Sequence, residues 1–227
     1  MKIYKYFILA LVIILIDQTT KLLVHNNMFL HQEITVIGNE QYGFKLHYLL
    51  NPGMAFGIRW NNEFGKLALT VFRIAAMVGI AYYLVKMAKR GANSGFLWCM
   101  SLILGGAVGN VLDSTFYGVF LNNHPTNSPT PWFHGQVIDM LFFPLFDYTW
   151  PEWVPLFGGE YFLFFSPVFN IADSSIFLGV VTILFFQRRF FADKFHPHEH
   201  ETELEPLPPV APTDRVDTSN EGNNLHP

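Results

Sequence analysis

Four stretches of this chain, residues 4–25, 67–88, 95–115 and 169–190, are apolar and long enough to cross a bilayer, which takes about 20 residues of helix. The first resembles the apolar run of a signal peptide, because Lys2 and Lys5 precede Tyr6–Ile16. No small-x-small cleavage site follows it, and Asp17-Gln-Thr-Thr-Lys21 runs on with helical spacing into Leu22-Leu23-Val24, so it is expected to be retained. The whole chain is 51% hydrophobic and 14% charged, whereas soluble domains carry about 25% charged residues. The expected fold is an integral membrane protein, mainly α, with four transmembrane helices.

Charge sets an expected orientation. Lys2 and Lys5 precede the first stretch, Lys86, Lys89 and Arg90 follow the second, and Arg188, Arg189 and Lys194 follow the fourth. The connection 116–168 holds no Lys or Arg. By the positive-inside rule both termini are cytoplasmic, and 26–66 and 116–168 face outward. Between about 30 and 62, short runs such as Ile34-Thr-Val-Ile37 and Phe44-Lys-Leu-His-Tyr48, broken by Gly38, Gly43, Pro52 and Gly53, predict a small extracytoplasmic β-sheet. Residues 140–168 carry Trp150, Trp153 and many Phe and Tyr, a composition suited to the headgroup level. The membrane unit is thus expected over 1–194, with 195–227, rich in Pro, Glu, Asn and His, as a disordered cytoplasmic tail. A net charge of −4 without a basic stripe argues against nucleic acid as a partner. Cys99, the single cysteine, reads as a small buried hydrophobe.

Polar side chains interrupt this apolar background at one depth. Asp17 and Lys21 are an i, i+4 pair in the outer half of the first stretch. Asn110 and Asp113 share a face near the outer end of the third, after Gly105, Gly106 and Gly109. Asn170 and Asp173 open the fourth, and Asp139 lies in the apolar run Gln136–Phe143. Each has a plain structural reading: an ion pair for Asp17–Lys21, a close helix contact for the glycines, an N-cap for Asn170. Together they crowd several carboxylates around one lysine. A carboxylate in hydrocarbon costs roughly 2.5 to 3.5 kcal/mol, so such groups mark functional sites by default. Two carboxylates forced together cannot both ionise, and a shared proton is what aspartic peptidase chemistry needs. There is no G-x-S-x-G, H-E-x-x-H, P-loop or dinucleotide motif, and His196, His198 and His200 read as solvated rather than metal-binding.

The blocks Asp17-Gln-Thr-Thr-Lys21, Asn51-Pro-Gly-Met-Ala-Phe-Gly57, Gly105-Gly-Ala-Val-Gly-Asn-Val-Leu-Asp113, Val137-Ile-Asp139 and Phe169-Asn-Ile-Ala-Asp173 resemble, in order, those of the lipoprotein signal peptidase (signal peptidase II) family. The resemblance implies an aspartic endopeptidase that removes signal peptides from diacylglyceryl-modified prolipoproteins by cutting before the lipidated cysteine. It implies a catalytic pair at Asp139 and Asp173. Asp17, Lys21, Asn51, Gly105, Asn110, Asp113, Asn170 and Ala172 would support the substrate or order the pair. No cofactor or metal is implied; the partners would be the prolipoprotein and membrane lipids, and the site would lie at the outer face of a bacterial cytoplasmic membrane. Ser114 departs from the family, which has arginine there, and the connections 114–136 and 140–168 are longer than in its shorter members. Two other classes fit the residues less well: an ion or proton transporter, and a non-catalytic lipoprotein-binding protein. The acids cluster at one level instead of forming a path across the bilayer.

Overall fold

A computed structural model describes residues 3–53, 63–164 and 167–191. The expected tail, part of the 30–62 region and residues 54–57 of the second block lie outside them. The elements run α1 Tyr4–Asn27, β1 Glu33–Gly38, β2 Gly43–Asn51, α2 Glu63–Lys89, α3 Ser94–Leu112, a π-helical turn Asp113–Tyr117 and the short α4 Gly118–Phe120. They continue as β3 Val137–Phe142, β4 Phe146–Thr149, β5 Tyr161–Phe164, β6 Val168–Phe169, α5 Ile171–Phe185 and α6 Gln187–Phe190.

Three helical segments, Tyr4–Asn27, Gly65–Lys89 and Ser94–Phe120, are long and apolar enough to cross a membrane. Ile171–Phe185 is also apolar but shorter; at 1.5 Å per residue its 15 residues span about 22 Å. Its start is fixed by Asn170, whose side chain accepts the Asp173 N–H. Helix α3 is the centre of the bundle and packs on α1, α2 and α5. Its apolar stretch is 61% buried against 22% for α1 and 11% for α2, so the outer helices present Leu11, Leu15, Leu23, Phe72, Val78, Phe177 and Leu184 outward, as lipid contact requires.

Small residues let the helices approach. A Cβ on Gly105 would stand 2.9 Å from the Ala10 carbonyl oxygen of α1, and one on Gly106 would collide with the Ala172 carbonyl oxygen of α5. Since that obstacle is backbone, Gly106→Ala is expected to push α3 and α5 apart at a cost of about 1–3 kcal/mol. A thermal-unfolding midpoint in detergent equal to that of the parent protein would refute this.

The sheet is larger than the sequence reading had it. Strands β1 and β2 pair around a turn in which Asn39 Oδ1 accepts the N–H groups of Gln41 and Tyr42. They are joined by β3 and β6 from far along the chain, in the antiparallel order β1-β2-β3-β6. Val137–Phe142 is therefore a strand and not merely an apolar stretch of connection. It is buried almost throughout, which removes the apolar–polar alternation by which a half-exposed strand is recognised. One face packs Ile138 and Met140 with Val24, Met28, Tyr48 and Tyr117. Strands β4 and β5 form a separate two-stranded sheet within the headgroup-like segment. Asp147 ties it to the β1–β2 turn, accepting from Tyr42 Oη and Gln41 Nε2.

Candidate functional site

The antiparallel sheet gathers three polar residues at one place. Asn51 ends β2 opposite Val137, Asp139 sits in β3 opposite Leu49, and Asn170 immediately follows β6, whose Phe169 pairs with Leu141. Asn51 Nδ2 donates to Asp139 Oδ2 (3.0 Å), and Asn170 Nδ2 donates to Asp139 Oδ1 (2.7 Å). Neither amide is free to turn over. Asn51 Oδ1 accepts the Gly53 N–H (2.8 Å), and Asn170 Oδ1 accepts the Asp173 N–H (2.9 Å).

From α3, Asn110 reaches the second acid: its Nδ2 donates to Asp173 Oδ1 (2.7 Å). Its Oδ1 accepts from Lys21 (3.2 Å) and, more weakly, from Asn170 (3.4 Å). Asp139 and Asp173 are thus linked through two amides, Asn170 and Asn110. Asp173 is half-buried in the first turn of α5, where the helix dipole favours a negative charge. Asp139 is nearly inaccessible. Burial and the charge of Asp173 raise its pKa to about 7, against the smaller opposing pull of the two amide donors and of Lys21.

Beneath this pair lies a fully buried ionic cluster. Lys21 Nζ contacts Asp17 Oδ2 at 2.7 Å and Asp113 Oδ2 at 2.6 Å, and all three side chains are inaccessible. The expected Asp17–Lys21 pair is therefore a triad. Gln18 completes it, donating to Asp113 Oδ1 (2.8 Å) and Asp17 Oδ2 (3.1 Å) while accepting from Tyr117 Oη (2.9 Å). Asp17 Oδ1 also accepts the backbone N–H of Ala172 (2.9 Å). Gly109 makes room for this arrangement, since a Cβ there would lie 2.6 Å from Asp17 Oδ2. Every expected site residue except Gly105 joins these contacts; Gly105 serves the α1–α3 packing, against Ala10 and Ile13.

The sequence reading missed the contribution of α2. Lys66, Thr70 and Arg73 follow i, i+4, i+7 spacing and so share one helix face. Lys66 Nζ donates to the Pro52 carbonyl (3.2 Å), Thr70 Oγ1 to the Phe133 carbonyl (2.9 Å), and Arg73 Nη1 to Ser114 Oγ (2.8 Å). A polar stripe of that period in an apolar span was the available signal. Lys66 and Arg73 also alter the charge count, because α2 brings two cations to this region in addition to Lys21. The π-helical turn, a widened form of helix common at functional sites, sets Ser114 beneath Arg73. Ser114 Oγ in turn donates to the Asn110 carbonyl (2.9 Å). Among the described residues no group of three or more His, Cys, Asp and Glu has the arrangement of a metal site.

Comparison with known proteins places this geometry in context. The family described as Signal peptidase (SPase) II matches residues 9–189. A lipoprotein signal peptidase of Amoebophilus asiaticus is 45% identical over 190 residues, covering 82% of this chain and 79% of that one. Those of Porphyromonas gingivalis (42% over 186 residues, 78% of this chain and 79% of that one) and Chlorobaculum tepidum (32% over 190 residues, 83% and 97%) are also similar. Two solved structures of a bacterial membrane enzyme, obtained in meso at 2.3 and 1.9 Å, share the fold. Their TM-scores are 0.57 and 0.56 at 22% and 24% identity, covering 85% and 82% of this chain and 93% and 94% of theirs. Since the family match spans the four apolar helices and both aspartates of the linked pair, the chain belongs to the signal peptidase II family of membrane peptidases.

Proposed function

We propose that this protein removes the signal peptide from diacylglyceryl-modified prolipoproteins, hydrolysing the bond before the lipidated cysteine with Asp139 and Asp173. The observation that carries the reading is the linkage of these two acids, through Asn170 and Asn110, in a member of this peptidase family. Asp173, at a helix N-terminus, is the carboxylate that takes a proton from the attacking water. Asp139, buried and carrying the shared proton, donates it to the oxygen of the scissile carbonyl. Water adds to the carbonyl carbon to give a tetrahedral diol. On collapse the C–N bond breaks, Asp173 gives its proton to the departing amine, and a diol proton returns to Asp139. The dyad ends as it began, having released a peptide carboxylate and the free amine of the modified cysteine.

The antiparallel run of the spans supports a site at one end of the bundle. Asp17, Lys21, Arg73, Asn110, Asp113 and Asp173 fall towards one end, while Lys86, Lys89, Arg90, Arg188 and Arg189 fall at the other. With the basic end cytoplasmic, the acids meet the outer boundary of the membrane. Two acyl chains, at about 0.8 kcal/mol per buried CH₂, would hold the substrate's scissile bond at that level. Transport and non-catalytic binding draw no support from the family match. Purified protein incubated with a diacylated precursor should release a product that begins at the modified cysteine. No product, or a cut elsewhere, would remove this reading.

A further inference from the structure

Lys21 is occupied between Asp17 and Asp113, so the charge of the Asp139–Asp173 pair is not balanced by that triad. Among the described residues, the other charged and titratable groups on the elements packed here include Lys66 and Arg73 of α2, Tyr117 of the π-helical turn, and buried His134, whose neighbour Gly135 donates to the Ser114 carbonyl. Lys66 is directed to the Pro52 carbonyl. Arg73 differs from both. Among the described residues its guanidinium forms no ion pair, yet it hydrogen-bonds Ser114 Oγ at 2.8 Å. Ser114 Oγ in turn donates to the Asn110 carbonyl, and Asn110 Nδ2 donates to Asp173 Oδ1, so a short chain of contacts leads from the guanidinium to that acid. Arg73 also lies against the turn that carries Asn51: a Cβ on Gly53 would stand 3.3 Å from Arg73 Nη2. The guanidinium is half-buried and touches no counter-ion among the described residues, so its charge is left to act on the acids nearby.

We propose that Arg73 is the positioning residue of the aspartate pair. Held at Ser114, its guanidinium keeps Asp173 as the carboxylate and leaves the shared proton on Asp139. The inference rests on the peptidase reading above. It also explains why serine suffices at position 114: the positive charge reaches the site from α2, and the hydroxyl only has to hold it.

The test is the pH dependence of kcat/KM for a diacylated precursor peptide with the full-length parent protein and the variants Arg73→Gln and Arg73→Lys. Losing a cation makes it harder to ionise the pair. Arg73→Gln should therefore have the acid limb of its profile displaced upward by about one pH unit, with kcat/KM lowered by up to ~10-fold at pH values on that limb. Arg73→Lys, keeping the charge, should hold its acid limb near that of the parent. A third protein combines Arg73→Ser with Ser114→Arg, since the two side chains already touch; it should be more active than Arg73→Ser alone. An Arg73→Gln enzyme with an unmoved acid limb, whatever its rate, would reduce Arg73 to packing and overturn the proposal. So would an Arg73→Lys enzyme as displaced as Arg73→Gln, or an exchange that restores nothing. If the parent protein itself fails to cleave, the peptidase reading falls and this one with it. Cleavage by the parent together with any of the other adverse results defeats the role of Arg73 alone.

Discussion

Asp139→Asn and Asp173→Asn are each expected to lower cleavage of a diacylated precursor by at least ~1,000-fold, the scale on which members of a catalytic unit fail when removed singly. Neither amide can exchange a proton with water or substrate, so neither variant can complete the cycle. Near-parental turnover in either would take that residue out of the mechanism. The two variants should differ in stability. The pKa of Asp139 is raised to about 7 by burial and by the charge of Asp173, above the ordinary carboxylate range. A raised value in the folded state means that the protonated form favours folding and that this contribution fades as the pH climbs through about 7. Asp139→Asn cannot ionise, so its unfolding midpoint should change less than the parent's as the pH climbs through about 7, while it remains inactive. The rate of the parent should fall over the same interval, as the proton that Asp139 must donate is lost. An Asp139→Asn protein whose midpoint falls with pH as steeply as the parent's would contradict this sign.

Lys21→Met is expected to be the most damaging change away from the linked acids. Lys21 stands between Asp17 and Asp113 with all three side chains inaccessible. Methionine fills much of the same space but strands two carboxylates. Breaking a buried ion pair by removing one partner costs about 3–5 kcal/mol, so the unfolding midpoint in detergent should drop by roughly 10 °C. Adding Asp113→Asn to Lys21→Met deletes one stranded charge and should recover part of the loss. A midpoint within a degree or two of the parent would show that the triad does not hold the bundle.

How legible this was in the sequence depended on how each residue works. Helices α1, α2 and α3 announced themselves because lipid demands an unbroken apolar run. The residues of the ionic triad and the relay were visible because polar groups stand out against that run: Asp17, Lys21, Asn110, Asp113, Asn170 and Asp173. The plain reading of Asn170 as an N-cap and the reading of it as a site residue describe one side chain, whose Oδ1 caps α5 while its Nδ2 serves Asp139. Strand β3 was hidden by its own burial, since Val137-Ile-Asp139-Met-Leu-Phe142 has no alternation to reveal a pleat. Strand β6 is too short to carry a pattern at all. Arg73 escaped because a single charge in a long apolar helix draws little notice until it is seen as the third member of a stripe with Lys66 and Thr70.

The bond from the Ala172 N–H to Asp17 Oδ1 joins α1 to α5, the first and the last of the four apolar helices. The bundle is thereby closed on itself, much as a barrel is closed by pairing its terminal staves. A single nick in the stretch near residues 124–130, far from that clasp in sequence, would leave two pieces still holding one another. Co-expressed halves divided there would be expected to assemble.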